Sequence, residues 1–122
     1  MRAARRRRGL QAREAGRRAE WLAALLLMAK GYRILGMRLR TPQGEVDLLA
    51  ARGGVLAVVE VKRRRSLEEA LLAVSPGQRE RLRRAGLAIA ARGPRPHSVR
   101  LDLVALAPGR WPRHIPDAWP DG

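Results

Sequence analysis

Apolar residues along this chain recur first at helical spacing and then at strand spacing. Leu10, Ala12, Ala15, Ala19, Leu22, Ala23, Leu26 and Ala29 return every three or four positions, apart from one gap of two and the adjacent pair Leu22-Ala23, predicting a helix over Gln11–Lys30 that Gly31 can cap. Residues 1–9 carry no apolar period and read as a basic, flexible arm. Alternation over Tyr32–Leu39 predicts a first strand, ended by the turn signal Thr41-Pro42-Gln43-Gly44. Glu45–Ala51 reads as a second strand, joined through Arg52-Gly53-Gly54 to a third, Val55–Lys62, whose run VLAVVEVK is β-branched and apolar almost to its end. Ser66-Leu67-Glu68-Glu69 has capping-box spacing and starts a helix to about Val74; Ser75-Pro76-Gly77-Gln78 starts another to about Arg92. After the break Gly93-Pro94-Arg95-Pro96, SVRLDLVAL (Ser98–Leu106) alternates as a last strand, and the Pro-rich remainder, about 107–122, reads as an irregular tail. The order α-β-β-β-α-α-β predicts an α/β sandwich, a mixed β-sheet flanked by helices, within a single domain over 10–122.

Composition narrows the chemistry. A hydrophobic share of 46% in 122 residues supports one core and excludes wholesale disorder; with no Phe, that core is built from Ala, Leu and Val. The absence of Cys excludes disulfides, thiolate metal sites and a cysteine nucleophile, and His97 and His114 are too few for a histidine-based zinc centre. The longest apolar run, Trp21–Ala29, is far short of the roughly 20 residues a membrane span needs. Glu14 and Glu20 break any signal-peptide reading of the start, so cytoplasmic residence is expected.

The net charge of +15 changes the picture most, since it calls for a polyanionic partner. Nucleic acid is the first expectation; a basic first helix lying on an anionic membrane is a weaker one. The positive charge concentrates in residues 2–18, in Lys62–Arg65 and around Arg79, Arg81, Arg83 and Arg84. If about six phosphates are neutralised, log affinity should fall with log salt at a slope near −5. No base-reading motif is visible, so selectivity would come from nucleic-acid shape. Trp21, Trp111 and Trp119 read as core and tail anchors rather than base-stacking platforms, Asp102 as a structural or solvated group, and His97 and His114 as non-catalytic.

The second and third strands carry the candidate chemistry. Their short connection pairs them antiparallel, which lets the carboxylates of Asp47 and Glu60 approach with the Lys62 ammonium alongside. Two hard oxygen ligands beside open water positions suit Mg²⁺, which polarises a phosphoryl oxygen and acidifies bound water, while Lys62 orients the nucleophile or stabilises developing charge. Two readings stand open on spacing alone: this metal site, or an ordinary hairpin with a solvated polar end. Two details favour the site. Glu60 follows five apolar residues, where a carboxylate is costly without compensation. Of the 26 Lys+Arg only Lys30 and Lys62 are lysine, so a plain positive charge at 62 would more readily have been Arg, as at 63, 64 and 65.

GEVDLLA (Gly44–Ala50) followed by VLAVVEVKRRR (Val55–Arg65) resembles the GEIDLIA…VFVEVKxR signature of the YraN-like family of small bacterial proteins, which is assigned to the PD-(D/E)XK nuclease superfamily and related to Holliday-junction resolvases. The resemblance extends to Gly16, Ala19-Glu20, Gly31, Ile34-Leu35, Glu68-Glu69-Ala70, Arg81-Leu82, Arg100–Val104 and His114-Ile115 to Trp119. It implies a restriction-endonuclease-like fold, with Asp47 and Glu60 as ligands of Mg²⁺ or Mn²⁺, Lys62 as the catalytic lysine and Glu20 as a further acidic site residue. It also implies DNA hydrolysis as the function, with nucleic-acid binding without catalysis as the alternative. Nucleic-acid contacts are expected from Arg63, Arg64, Arg65, Gln78, Arg79 and Arg81, although Gln78 and Arg79 stand where the family often has Lys and Gln, and Met37 replaces an Asn. Analogy with resolvases suggests a homodimer.

Overall fold

The computed structural model describes residues 2–94 and 98–121; His97 lies outside them. The elements are α1 (Arg2–Ala29), β1 (Arg33–Thr41), β2 (Gly44–Arg52), β3 (Val55–Arg63), α2 (Leu67–Leu72), α3 (Pro76–Arg92), β4 (Ser98–Leu106) and β5 (Arg113–Ile115). The strands form one sheet in the order β1-β2-β3-β4-β5, with β3 and β4 parallel and every other pair antiparallel. A parallel pair needs a crossover, and α2 and α3 supply it.

The sheet is covered on both faces, which is why β2 and β3 read as nearly continuous apolar runs. On one face Ala23, Ala24 and Leu27 of α1 pack over Leu48, Ala50, Ala57 and Val59. On the other, Leu82 and Ala85 of α3 pack over Leu49, Leu56, Val58 and Leu101, while Ala70 of α2 meets Leu103 and Ala105. Small alanines let α1 approach the sheet closely without any Phe. Both central helices begin as their sequences dictate: the Ser66 hydroxyl accepts from Glu69 N–H and the Ser75 hydroxyl from Gln78 N–H, each at 3.1 Å. The mixed, helix-flanked sheet is the restriction-endonuclease-like sandwich expected from the element order.

Three expectations need correction. Residues 2–9 are not separate from the helix: α1 runs 28 residues from Arg2, because Ala and Arg are strong helix formers and no proline interrupts them. The tail is not wholly irregular, since Arg113–Ile115 adds a fifth strand to the edge of β4, its pattern hidden by Pro112 and Pro116. Finally, the tryptophans divide. Trp119 is an anchor, its indole N–H donating to Leu71 O at 3.1 Å, whereas Trp21 and Trp111 are 58% and 91% exposed.

Candidate functional site

The ladder between β2 and β3 runs from Arg52–Val55 to Leu48–Val59. One residue further, side-chain chemistry replaces it: Asp47 Oδ2 accepts the Val61 backbone N–H at 2.9 Å. Alternation also breaks here, for Val46 and Leu48, two residues apart, belong to cores on opposite faces of the sheet. Across the sheet, Arg38 lies between the Met37–Leu48 and Leu39–Val46 pairs and has φ 50°, a conformation uncommon for a residue with a Cβ. The strands therefore part at Asp47 and open a fork.

Glu60 occupies that fork with 5% of its surface exposed. Its Oε1 lies 3.9 Å from Lys62 Nζ, and its Oε2 is buried without a hydrogen-bond partner. Burial first, and then the facing Asp47 carboxylate, push the Glu60 carboxyl up to about 9; Lys62 pulls the other way. Glu20 comes over the fork from α1, buried and paired with the Arg38 guanidinium. Burial raises its carboxyl above the usual range, with Arg38 opposing. Together Gly16, Ala19, Glu20, Asp47, Glu60, Lys62, Arg63 and Arg64 line a cleft of about 270 Å³.

Not every expected site residue reaches this cleft. Arg65 lines an adjoining hollow with Arg63 and Arg64. Gln78 and Arg81 line a separate one with Gln43 and Glu45, which shares no residue with the acid cleft. Arg79 is turned onto Trp119, its guanidinium carbon 5.8 Å from the ring centroid and its Nε buried. Among the described residues no group of three or more His, Asp or Glu gathers as a metal-binding cluster, and the carboxylates that face each other at the fork are two, Asp47 and Glu60. Mg²⁺ is compatible with that number, because it retains water ligands.

A second polar cluster escaped the sequence reading. Asp102 is fully buried and accepts from Arg100 Nε and Nη2, both at 2.8 Å, from Asp117 N–H at 3.1 Å, and pairs with His114 Nε2 at 2.8 Å. The far side of the imidazole, Nδ1, faces Lys30 Nζ at 3.0 Å, so Nδ1 is the accepting nitrogen. Burial alone would raise Asp102; the hydrogen bonds from Arg100, His114 and Asp117 outweigh it and hold the carboxyl low. The signal was present, since Asp102 interrupts an apolar strand just as Glu60 does. Arg38 gave no comparable signal.

Residues 19–106 match the family described as Uncharacterised protein family UPF0102. The chain belongs to the UPF0102 family. It is 68% identical over 114 residues to a UPF0102 protein of Caulobacter vibrioides (strain NA1000 / CB15N), covering 92% of this chain and 91% of that one. It is 70% identical over 116 residues to a UPF0102 protein of Caulobacter sp. (strain K31), covering 93% and 84%, and 51% identical over 114 residues to one of Rhizobium meliloti (strain 1021), covering 92% and 93%. Glu20, Arg38, Asp47, Glu60 and Lys62 all fall within the UPF0102 match, and the YraN-like resemblance of the sequence is to this family.

Proposed function

We propose that this UPF0102 protein is a metal-dependent endonuclease or structure-selective resolvase of the PD-(D/E)XK type, hydrolysing phosphodiester bonds in DNA. The observation that carries the reading is the meeting of Asp47 and Glu60 at the fork, with Glu60 Oε2 buried and unpartnered and its Oε1 3.9 Å from Lys62 Nζ. Two facing carboxylates in a dry site repel each other unless a cation or a proton joins them, and hard oxygen donors of this kind fit Mg²⁺ or Mn²⁺. Asp47 and Glu60 would hold the ion, which when bound would polarise the phosphate and activate water. The chain supplies the rest. The Val61 amide fixes the Asp47 carboxylate, Lys62 offers a compact ammonium to charge developing on the phosphate, and Arg63 and Arg64 hold the flanking backbone at the mouth of the cleft. Arg38 restrains Glu20 over the opening.

Calorimetric titration with Mg²⁺ or Mn²⁺ is expected to give binding by the wild type that Asp47→Ala abolishes. On branched or flapped DNA, both Asp47→Ala and Lys62→Ala should reduce cleavage by at least about 100-fold, a scale typical of a lost electrostatic or proton-handling group. Cleavage surviving both substitutions refutes the assignment. A second reading, nucleic-acid binding without cutting, draws on the engagement of Glu20 by Arg38, which leaves only two acids at the fork. It requires salt-sensitive binding indifferent to Asp47→Ala and to divalent metal.

A further inference from the structure

The carboxyl ends of the parallel strands β3 and β4 open onto two hollows beside the acid cleft, the place where open α/β sheets take ligands. One, of about 590 Å³, is lined by Arg63, Arg64 and Arg65, with Glu69 as its single acid. The other, of about 210 Å³, is lined by Arg64, Arg65, Arg110, Trp111 and Arg113. The acid cleft shares Arg63 and Arg64 with the first, and the first shares Arg64 and Arg65 with the second, so the three form one trough.

Trp111 contributes nothing to the core: its indole is 91% exposed among arginines, whereas Trp119 is tied down by its own N–H. It is also close to the fork. Lys62, Ala105 and Arg113 lie side by side across β3, β4 and β5, which puts Arg113 about 10 Å from Lys62 at two strand spacings, with Trp111 two residues before it. An exposed indole beside a row of guanidinium groups is the equipment for stacking a base while its phosphates are neutralised. A duplex hides the faces of its bases, so only an unpaired base can use the platform.

We infer that this trough takes a single-stranded nucleic-acid segment, an unpaired base stacking on Trp111 while the backbone runs past Arg113, Arg65 and Arg64 toward Lys62. The inference deepens the nuclease reading and rests on it for the role of the acid cleft: the substrate is DNA with an unpaired arm rather than continuous duplex.

The test is fluorescence anisotropy in EDTA with the full chain, a labelled oligothymidylate and a labelled duplex. Trp111→Ala should weaken oligothymidylate binding by about 5- to 150-fold and leave duplex binding within about twofold, the loss expected for one stacked base. Trp111→Phe should restore most of it, and Trp21→Ala, at another exposed indole that lines none of these hollows, should bind both as the wild type does. Unchanged oligothymidylate binding by Trp111→Ala, or equal losses on both probes, overturns the inference; so does a fall in sedimentation mass, which would make Trp111 a contact between copies. The two proposals fail separately. Metal-dependent cleavage without Trp111-dependent binding removes the stacking platform alone, and Trp111-dependent binding without cleavage removes the hydrolase alone.

Discussion

Glu60 is held in a place that is uncomfortable for a lone carboxylate. Its folded pKa, about 9, lies far above the ordinary 4.5, so the metal-free folded chain carries a proton that the unfolded chain releases. Stability from this group is present below about pH 4.5 and is lost as pH rises toward 9. Glu60→Gln removes the charge at nearly constant shape. In EDTA it should raise the thermal midpoint more at pH 8 than at pH 5, with a gain of about 1–3 kcal/mol at pH 8. A gain equal at both pH values would show that desolvation is not the cause. This residue was legible because a charge after five apolar positions cannot hide in a sequence. Arg38 was not, since its role comes from a left-handed backbone angle that brings a solvent-side cation back onto Glu20. Local pattern carries no information about that reversal.

At the scale of elements, β4 is both the last principal strand and the anchor of the tail. Asp102 joins Arg100 on its own strand to His114 of β5 and to the Asp117 amide beyond it. Asp102→Ala leaves a guanidinium and an imidazole without their acceptor, and is expected to cost about 3–5 kcal/mol in chemical denaturation. Because the folded carboxyl sits below its ordinary value, its stabilisation is present above about pH 4 and disappears as pH falls through the folded value. The wild type should therefore lose stability steeply in that acid range, and Asp102→Ala should not. Gly86 on α3 marks a close helix–sheet approach: a Cβ there would lie 2.7 Å from both Val58 Cγ2 and Val99 Cγ1. Gly86→Ala should destabilise by about 1–3 kcal/mol through overpacking, read as a shift in the denaturation midpoint with an unchanged slope. The helix starts, the hairpin and β4 could be read from caps and alternation. The short β5 could not, because a three-residue strand between prolines is defined by its partner, not by its own composition.

For the whole molecule, the sandwich was legible because every long element states its own periodicity, and the site was legible as far as two facing strands fix which residues meet. What lay beyond reach was the distribution of charge in space. Arg79, counted with the contact residues, is spent on Trp119, while Arg110 and Arg113, in a tail read as irregular, join Arg64 and Arg65 in one trough. The same holds for α1. Among the described residues its first buried one is Ala19, and every position from 3 to 14 is exposed, so those turns project as a rod about 18 Å long at 1.5 Å per residue. That rod has no tertiary support, no acid in its opening turn, and cations stacked three and four apart against the positive pole of its own dipole. Its winding must then depend on ionic surroundings: circular dichroism should report less helix at low salt and a gain on adding inorganic polyphosphate, and deletion of residues 2–14 should erase that response while leaving the melting of the body unchanged. Helicity indifferent to polyphosphate would mean that the cationic rod is wound by its alanines alone.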